Sequence, residues 1–299
     1  MKILLNRKPV NGPWGGGNNW VQAFFKYAPE FGVTPVTSFS TRPDAALIVD
    51  PRYDELRISI NEVLAFKHLM PKLKIFQRIN ECDARKGTTD VDPLLQMCSE
   101  HLHHTIFVSH WTFGYHQSKT WKCSSNSVIY NGVDKEVFQP LIEKSNKKIS
   151  IVTHHWSDNE KKGQDAHAWL DEFVGKNPDF TYTYIGRSKY VFKNAKHIQP
   201  LHGKALGEEL AKHDVYVTAT YADPGPNHVL EAISCKIPTY AWIAGGGAVE
   251  FVGKDHVYDD INQLEQILLS KNFIQNSSFE PTDWRTCIEL YVKTIKEKL

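Results

Sequence analysis

The stretch Asp214–Glu250, DVYVTATYADPGPNHVLEAISCKIPTYAWIAGGGAVE, decides the fold, because it reads as strand, acid-bearing loop, helix, strand and glycine loop in immediate succession. Val215, Tyr216 and Val217 are β-branched and aromatic and give way to small polar residues, as at the carboxyl end of a short buried strand. Asp223 falls in the following loop, which Pro224-Gly225-Pro226 stiffens. Asn227 is the expected N-cap of a helix beginning at His228, whose first backbone N–H groups would be left without helical partners and would suit an anion. Glu231 lies about one turn in, on the face of His228, and Pro238 ends the helix near Lys236. A strand over 239–243 follows, then Gly245-Gly246-Gly247, which lets backbone approach a ligand before a further helix starts at 248–251. Taken alone, the stretch reads as an α/β ligand site or as a buried loop with two solvated acids.

Asp223 and Glu231 stand eight positions apart around a glycine-containing loop, ahead of a small-residue helix and a proline. In that respect the stretch resembles the donor-sugar site of retaining glycosyltransferases of family 4. The resemblance implies that Asp223 meets the hydroxyls or the anomeric side of the transferred sugar and that Glu231 binds the two ribose hydroxyls. It also implies that Gly225, Gly246 and Gly247 present backbone to sugar and pyrophosphate, with Asn227 and His228 at the helix start. The first acid of that family is usually Glu, so Asp223 has a shorter reach. A second likeness lies far away, in SVIYNGVDKEVFQP over 127–140, which matches the passage from first to second lobe in the family. A third is Lys162-Gly163 after the strand 149–153, where the family grips the donor diphosphate. The arginine common after that strand is missing; His154 or His155 stands nearby, with Arg187 as a further candidate. Lysine holds a diphosphate as a point charge, without bidentate geometry.

Composition narrows the remaining classes. The 299 residues suffice for two lobes of about 140 residues each. A net charge of +1 with 23% charged residues gives no whole-chain field for nucleic acid or an anionic membrane. The five cysteines are odd in number and lack metal-type spacing, which fits structural thiols in a reducing compartment. The start MKILLNRKP carries too short an apolar run for a signal peptide, and no run reaches the ~18 residues of a membrane span. A cytoplasmic protein with at most peripheral membrane contact is expected.

Strand–loop–helix order recurs along the chain. Residues 2–5 read as a strand before the loop at Gly15-Gly16-Gly17 and a helix carrying Trp20, Ala23, Phe24 and Tyr27. Walker lysine and GxGxxG spacing are both lacking, which leaves a hinge or a phosphate or sugar crevice. Strands 45–49 and 73–76 end in polar residues, and the charged loop after Asn80 offers Asn80, Arg85 and Lys86 as acceptor contacts and Asp83 as an acid or base, or else is simply solvated. A helix is expected over 92–103. The histidines at 101, 103, 104, 110 and 116 read as a solvated face rather than a metal site, because they lack convergent partners. Residues 143–148 read as a linker, 180–185 as a strand ending at Gly186-Arg187, and 283–299 as an amphipathic helix.

The expected architecture is therefore α/β, and by resemblance GT-B: two Rossmann-like, doubly wound lobes facing across a cleft. The lobes would be an acceptor-side domain at 1–140 and a nucleotide-sugar domain at 148–282, with the helix 283–299 packed back on the first. The implied activity is transfer of a sugar, with retention, from a nucleoside diphosphate sugar to an acceptor hydroxyl on a glycan, a lipid-linked acceptor or a protein. No metal or cofactor is expected, since no DxD motif occurs in a suitable loop. A sugar-nucleotide epimerase or hydrolase of the same fold, and a non-catalytic nucleotide-sugar binder, are the alternatives.

Overall fold

The computed structural model describes residues 1–12, 15–52, 55, 57–141 and 147–299. The chain divides into two compact units: Met1–Asp83, Gly87–Gly132 and Thr282–Leu299 form the first, and Ala84–Lys86 with Val133–Pro281 the second. Of the linker read at 143–148, positions 143–146 lie outside the described residues.

The first unit is built on a six-stranded parallel sheet. Its elements are β1 (Lys2–Leu5), α1 (Gly16–Tyr27), β2 (Thr34–Val36), β3 (Ala45–Ile48), α2 (Ile60–Leu69) and β4 (Lys74–Ile79). After them come the short α3 (Asp83–Lys86), α4 (Val91–Ser99), β5 (His104–Phe107), α5 (His110–Gln117) and β6 (Asn126–Val128). The strand order is β2-β1-β3-β4-β5-β6. One sheet face carries a core in which Trp20 and Phe24 of α1 meet Cys287, Ile288, Tyr291 and Ile295 of the C-terminal helix, Trp284–Lys298. The rings of Trp20 and Tyr291 sit 4.9 Å apart, edge to face. The apolar spacing of that helix is thus used within this unit, and Asp283 caps it by accepting from the Thr286 N–H at 2.7 Å.

The second unit repeats the plan. Its elements are β7 (Ile149–His155), α6 (Gln164–Lys176), β8 (Phe180–Gly186), β9 (Lys196–Ile198), α7 (Gly203–Leu210) and β10 (Val215–Thr218). They continue with α8 (Asn227–Ser234), β11 (Thr239–Trp242), α9 (Gly247–Val252), β12 (Val257–Tyr258) and α10 (Ile261–Ser270). The order β12-β11-β10-β7-β8-β9, parallel throughout, makes β7 and β10 the neighbours at which the winding direction reverses. In such sheets the crevice for a ligand lies beyond the carboxyl ends of the two strands at that reversal. Leu170, Phe173, Leu264 and Leu268 fill one face, and Leu206, Leu210, Ala232 and Ile237 the other.

NGVD spans the boundary between the units. Asn131 accepts from Arg78 Nη2 at 2.7 Å, and a Cβ on Gly132 would come within 2.6 Å of Trp284 Cα. Val133 and Phe138 enter the core of the second unit.

Two local expectations are corrected. The helix α4 stops at Ser99, because the His103 N–H already donates to Ile75 O at 2.8 Å and draws the chain into β5. His104 and His116 are buried rather than solvated. His104 bonds Ser125 Oγ at 2.8 Å and Ser127 Oγ at 2.9 Å, and His116 Nε2 bonds Glu81 O at 3.1 Å.

Candidate active site

At the reversal in the second sheet, β7 ends in His154 and His155, while β10 runs into the loop that carries Asp223. Lys162 is reached from β7 through a turn closed by Gly163, whose φ of 87° is a left-handed conformation that glycine adopts without strain. Lys162 Nζ lies 2.6 Å from Asp223 Oδ2, with both side chains nearly buried. Residues Ala84–Lys86 belong with this unit, and Arg85 Nε stands 4.0 Å from Asp223 Oδ1. Burial pushes the Asp223 carboxyl towards the neutral form, but the charge of Lys162, then that of Arg85, outweighs it and holds the acid well below the usual carboxylate range. Asp223 is therefore an anion at any ordinary pH.

The glycines after β11 have an immediate structural cause. The loop 244–247 pairs with 222–224: Ala222 N–H donates to Ala244 O at 2.8 Å, Asp223 N–H to Gly245 O at 3.2 Å and Gly247 N–H to Asp223 O at 2.8 Å. A Cβ at Gly246, where φ is 70°, would lie 2.7 Å from Asp223 O, and one at Gly247 would lie 2.7 Å from Pro224 O. These glycines thus let two loops meet and fix the backbone of Asp223. Gly225 lies between Pro224 and Pro226 on the same loop.

The helix α8 begins one residue earlier than expected. Asn227 is its first residue, and Pro226 occupies the cap position without a side-chain cap bond, so Asn227 is not the N-cap. His228 bonds Thr218 Oγ1 at 3.1 Å through Nε2. Three residues on, Glu231 Oε2 sits 2.8 Å from His154 Nε2.

Sequence reasoning named His154, His155 and His228 singly but missed His167 and the layer that the rings form beneath these groups. The rings of His155 and His228 are 4.6 Å apart, and those of His155 and His167 5.6 Å. His167 bonds Lys162 O at 2.9 Å and Tyr182 OH at 3.2 Å. Burial holds His155 and His228 well below the ordinary imidazole range, helped by the nearby Lys162 and by neighbouring histidines, and pushes His167 down to about 4. These three rings are neutral at physiological pH and keep positive charge concentrated on Lys162 and Arg85. The sequence signals were the doublet His154-His155 at a strand end and His228 at a helix start.

Other candidates lie elsewhere. Arg187 places its guanidinium 4.2 Å over the Trp156 ring, just past the ends of β8 and β7. In the first unit Asn80 Nδ2 and Arg7 Nη1 sit 3.5 and 3.6 Å from where a Cβ on Gly17 would be, so the glycine turn at 15–17 and Asn80 come together. Asp83 is occupied within its own loop. Its carboxylate accepts from Thr88 Oγ1 at 2.6 Å and from the Val91 and Asp92 N–H groups at 3.0 Å each. Burial opposes its ionisation and these bonds overcome it, which lowers its pKa and makes the group a loop brace. Lys86 ends α3 one residue before Gly87, whose φ is 70°. Among the described residues no cluster of three or more His, Cys, Asp or Glu could hold a metal ion, and no helix is long and apolar enough to cross a membrane.

No protein-family model and no curated protein sequence matches the chain. Solved structures do. Sucrose-phosphate synthase from Thermosynechococcus elongatus superposes with a TM-score of 0.73 at 13% identity, over 99% of this chain and 98% of that one. HepE from Anabaena, in complex with UDP-glucose, superposes with a TM-score of 0.74 at 14% identity, over 99% of this chain and 100% of that one. The pneumococcal O-GlcNAc transferase GtfA, in complex with UDP and GlcNAc, gives 0.65 at 13% identity, over 85% of this chain and 56% of that one. With its two parallel six-stranded sheets, the chain has the GT-B fold.

Proposed function

We propose that the protein is a glycosyltransferase that moves a sugar from a nucleoside diphosphate sugar to an acceptor hydroxyl with retention and without a metal. The observation that carries this reading is the meeting of Lys162, Asp223 and the Glu231-bearing helix at the winding reversal of the second sheet. Similarity of fold to HepE and GtfA, which were solved with UDP-containing ligands, supports the choice of donor class.

On this reading Lys162 exchanges Asp223 for the diphosphate when the donor binds. Its charge, with that of Arg85, then stabilises the departing anion, an effect worth several kcal/mol when the groups are preorganised. Asp223, ionised and acceptor-only, accepts hydrogen bonds from the hydroxyls of the transferred sugar, and Glu231 accepts them from those of the ribose. The bond from the anomeric carbon to the diphosphate oxygen breaks, the acceptor oxygen bonds that carbon on the same face, and the acceptor's proton passes to an oxygen of the departing diphosphate, which serves as the base. Asp83 acts as a brace for its loop rather than as that base. Gly15, Gly16, Gly17, Asn80 and Lys86 remain candidates for the acceptor side, and Arg187 for the donor side.

Incubation with UDP-, GDP- and ADP-sugars tests the reading, with glycan, lipid-linked and peptide acceptors present or absent. Nucleoside diphosphate release that requires an acceptor, with a product of retained anomeric configuration by NMR, is expected. Conversion without an acceptor would make it an epimerase or hydrolase instead, and saturable binding without turnover a binder.

A further inference from the structure

Glu231 has its hydrogen bond to His154 on the far side of the fold's reversal, and the local geometry shows what fixes that histidine. The His154 main chain is clamped by Tyr216 of the neighbouring strand: its N–H donates to the Tyr216 hydroxyl at 3.2 Å, and its carbonyl accepts from the same hydroxyl at 3.2 Å. The imidazole stands edge-on to the Tyr216 ring at 5.5 Å and to His228 at 6.0 Å. Its Nδ1 is buried with no hydrogen-bond partner among the described residues. A carboxylate only accepts, so His154 Nε2 carries the proton that bridges to Glu231 Oε2 at 2.8 Å. A flipped ring would give up that bond and gain none.

We propose that His154 is the positioning residue for Glu231: a rigid imidazole, locked by Tyr216, that holds one carboxylate oxygen and leaves the other to the nucleotide. The proposal rests on the functional reading above and deepens it. A glutamate on a helix surface samples several rotamers, and holding it in one removes that entropy cost from ligand binding. Because the interaction is with the nucleotide rather than the reacting carbon, it belongs to ground-state and transition-state binding alike.

The test is titration of the whole protein with UDP, GDP and ADP and their 2′-deoxy forms, for wild type, His154→Phe, His154→Gln, Glu231→Ala and the double variant His154→Phe/Glu231→Ala. His154→Phe keeps an aromatic ring without the donor and is expected to weaken the preferred nucleotide by about tenfold and to flatten its preference for ribose over deoxyribose. In turnover the loss should fall on KM, with kcat within about threefold. His154→Gln, which restores an N–H, should recover most of the affinity. In the Glu231→Ala background the phenylalanine should add nothing. Equal losses in both backgrounds, or His154→Phe binding like wild type, overturn the proposal while leaving the functional reading intact. Wild type that binds none of the nucleotides overturns both.

Discussion

Lys162 Nζ and Asp223 Oδ2 stand 2.6 Å apart although they lie 61 positions apart in sequence. The two come from different strand connections and meet because β7 and β10 are neighbours at the reversal of the sheet. Both side chains are largely withdrawn from water, so removing one strands the other. Lys162→Met is expected to destabilise the protein by about 3 kcal/mol, the lower end of the range for a broken buried pair, because Arg85 still faces the carboxylate. Lys162→Met/Asp223→Leu should cost clearly less than the sum of the single changes. Urea unfolding of the four proteins measures the coupling, and simple additivity would mean that the pair is not formed.

Gly186 ends β8 with φ of 142°, and a Cβ there would run into the carbonyl oxygen of His155. Alanine at this position must push the ends of β7 and β8 apart, taking His154 and His155 with it. Gly186→Ala should lose more than about 2 kcal/mol, since strain and steric overlap add. Nucleotide affinity should fall with it. A variant with unchanged Tm and unchanged binding would contradict the close approach.

His167 supplies a pH dependence whose sign is fixed. Its folded pKa is pushed down to about 4 by burial, while an unfolded imidazole titrates near 6.5. The unfolded state therefore binds more protons between these values, so the contribution is complete above about pH 6.5 and is lost as pH falls towards 4. Its size is at most about 3 kcal/mol. His104, likewise pushed to about 4 by burial, adds a slope of the same sign. Asp223, held below the carboxylate range, does not titrate in this window. His167→Phe should be less stable at pH 7.5, through the lost bonds to Lys162 O and Tyr182, yet show a shallower decline between pH 6.5 and 4.5. Urea midpoints across that range decide it, and parallel curves would refute the assignment.

Asp223 and Glu231 were legible because their signal is local, whereas Lys162 stood out only through the family resemblance. Alternating strands and helices gave the parallel sheets, and the spacing of Asp223 and Glu231 placed both acids on one loop-and-helix segment. What the linear pattern concealed was depth. A histidine at a strand end looks the same in sequence whether it faces water or core, so His104, His116 and the ring layer around His155 were visible only in the fold. Gly246 and Gly247 show another limit: a glycine run signals close approach without naming what approaches, and here the neighbour is the Asp223 loop itself. Asp83 looked like a reactive acid for the same reason, since its three partners lie five to nine residues downstream.

On the proposed function, the second unit binds a nucleoside diphosphate sugar through Lys162, Asp223 and Glu231. Calorimetric titration of wild type, Asp223→Ala and Glu231→Ala with UDP, GDP and ADP, followed by turnover with the matching sugar, tests it most directly. Wild type should bind one nucleotide saturably, Glu231→Ala should bind it at least about tenfold more weakly, and Asp223→Ala should lose turnover by at least about a hundredfold while still binding. Wild-type affinity and wild-type turnover in both variants would contradict it.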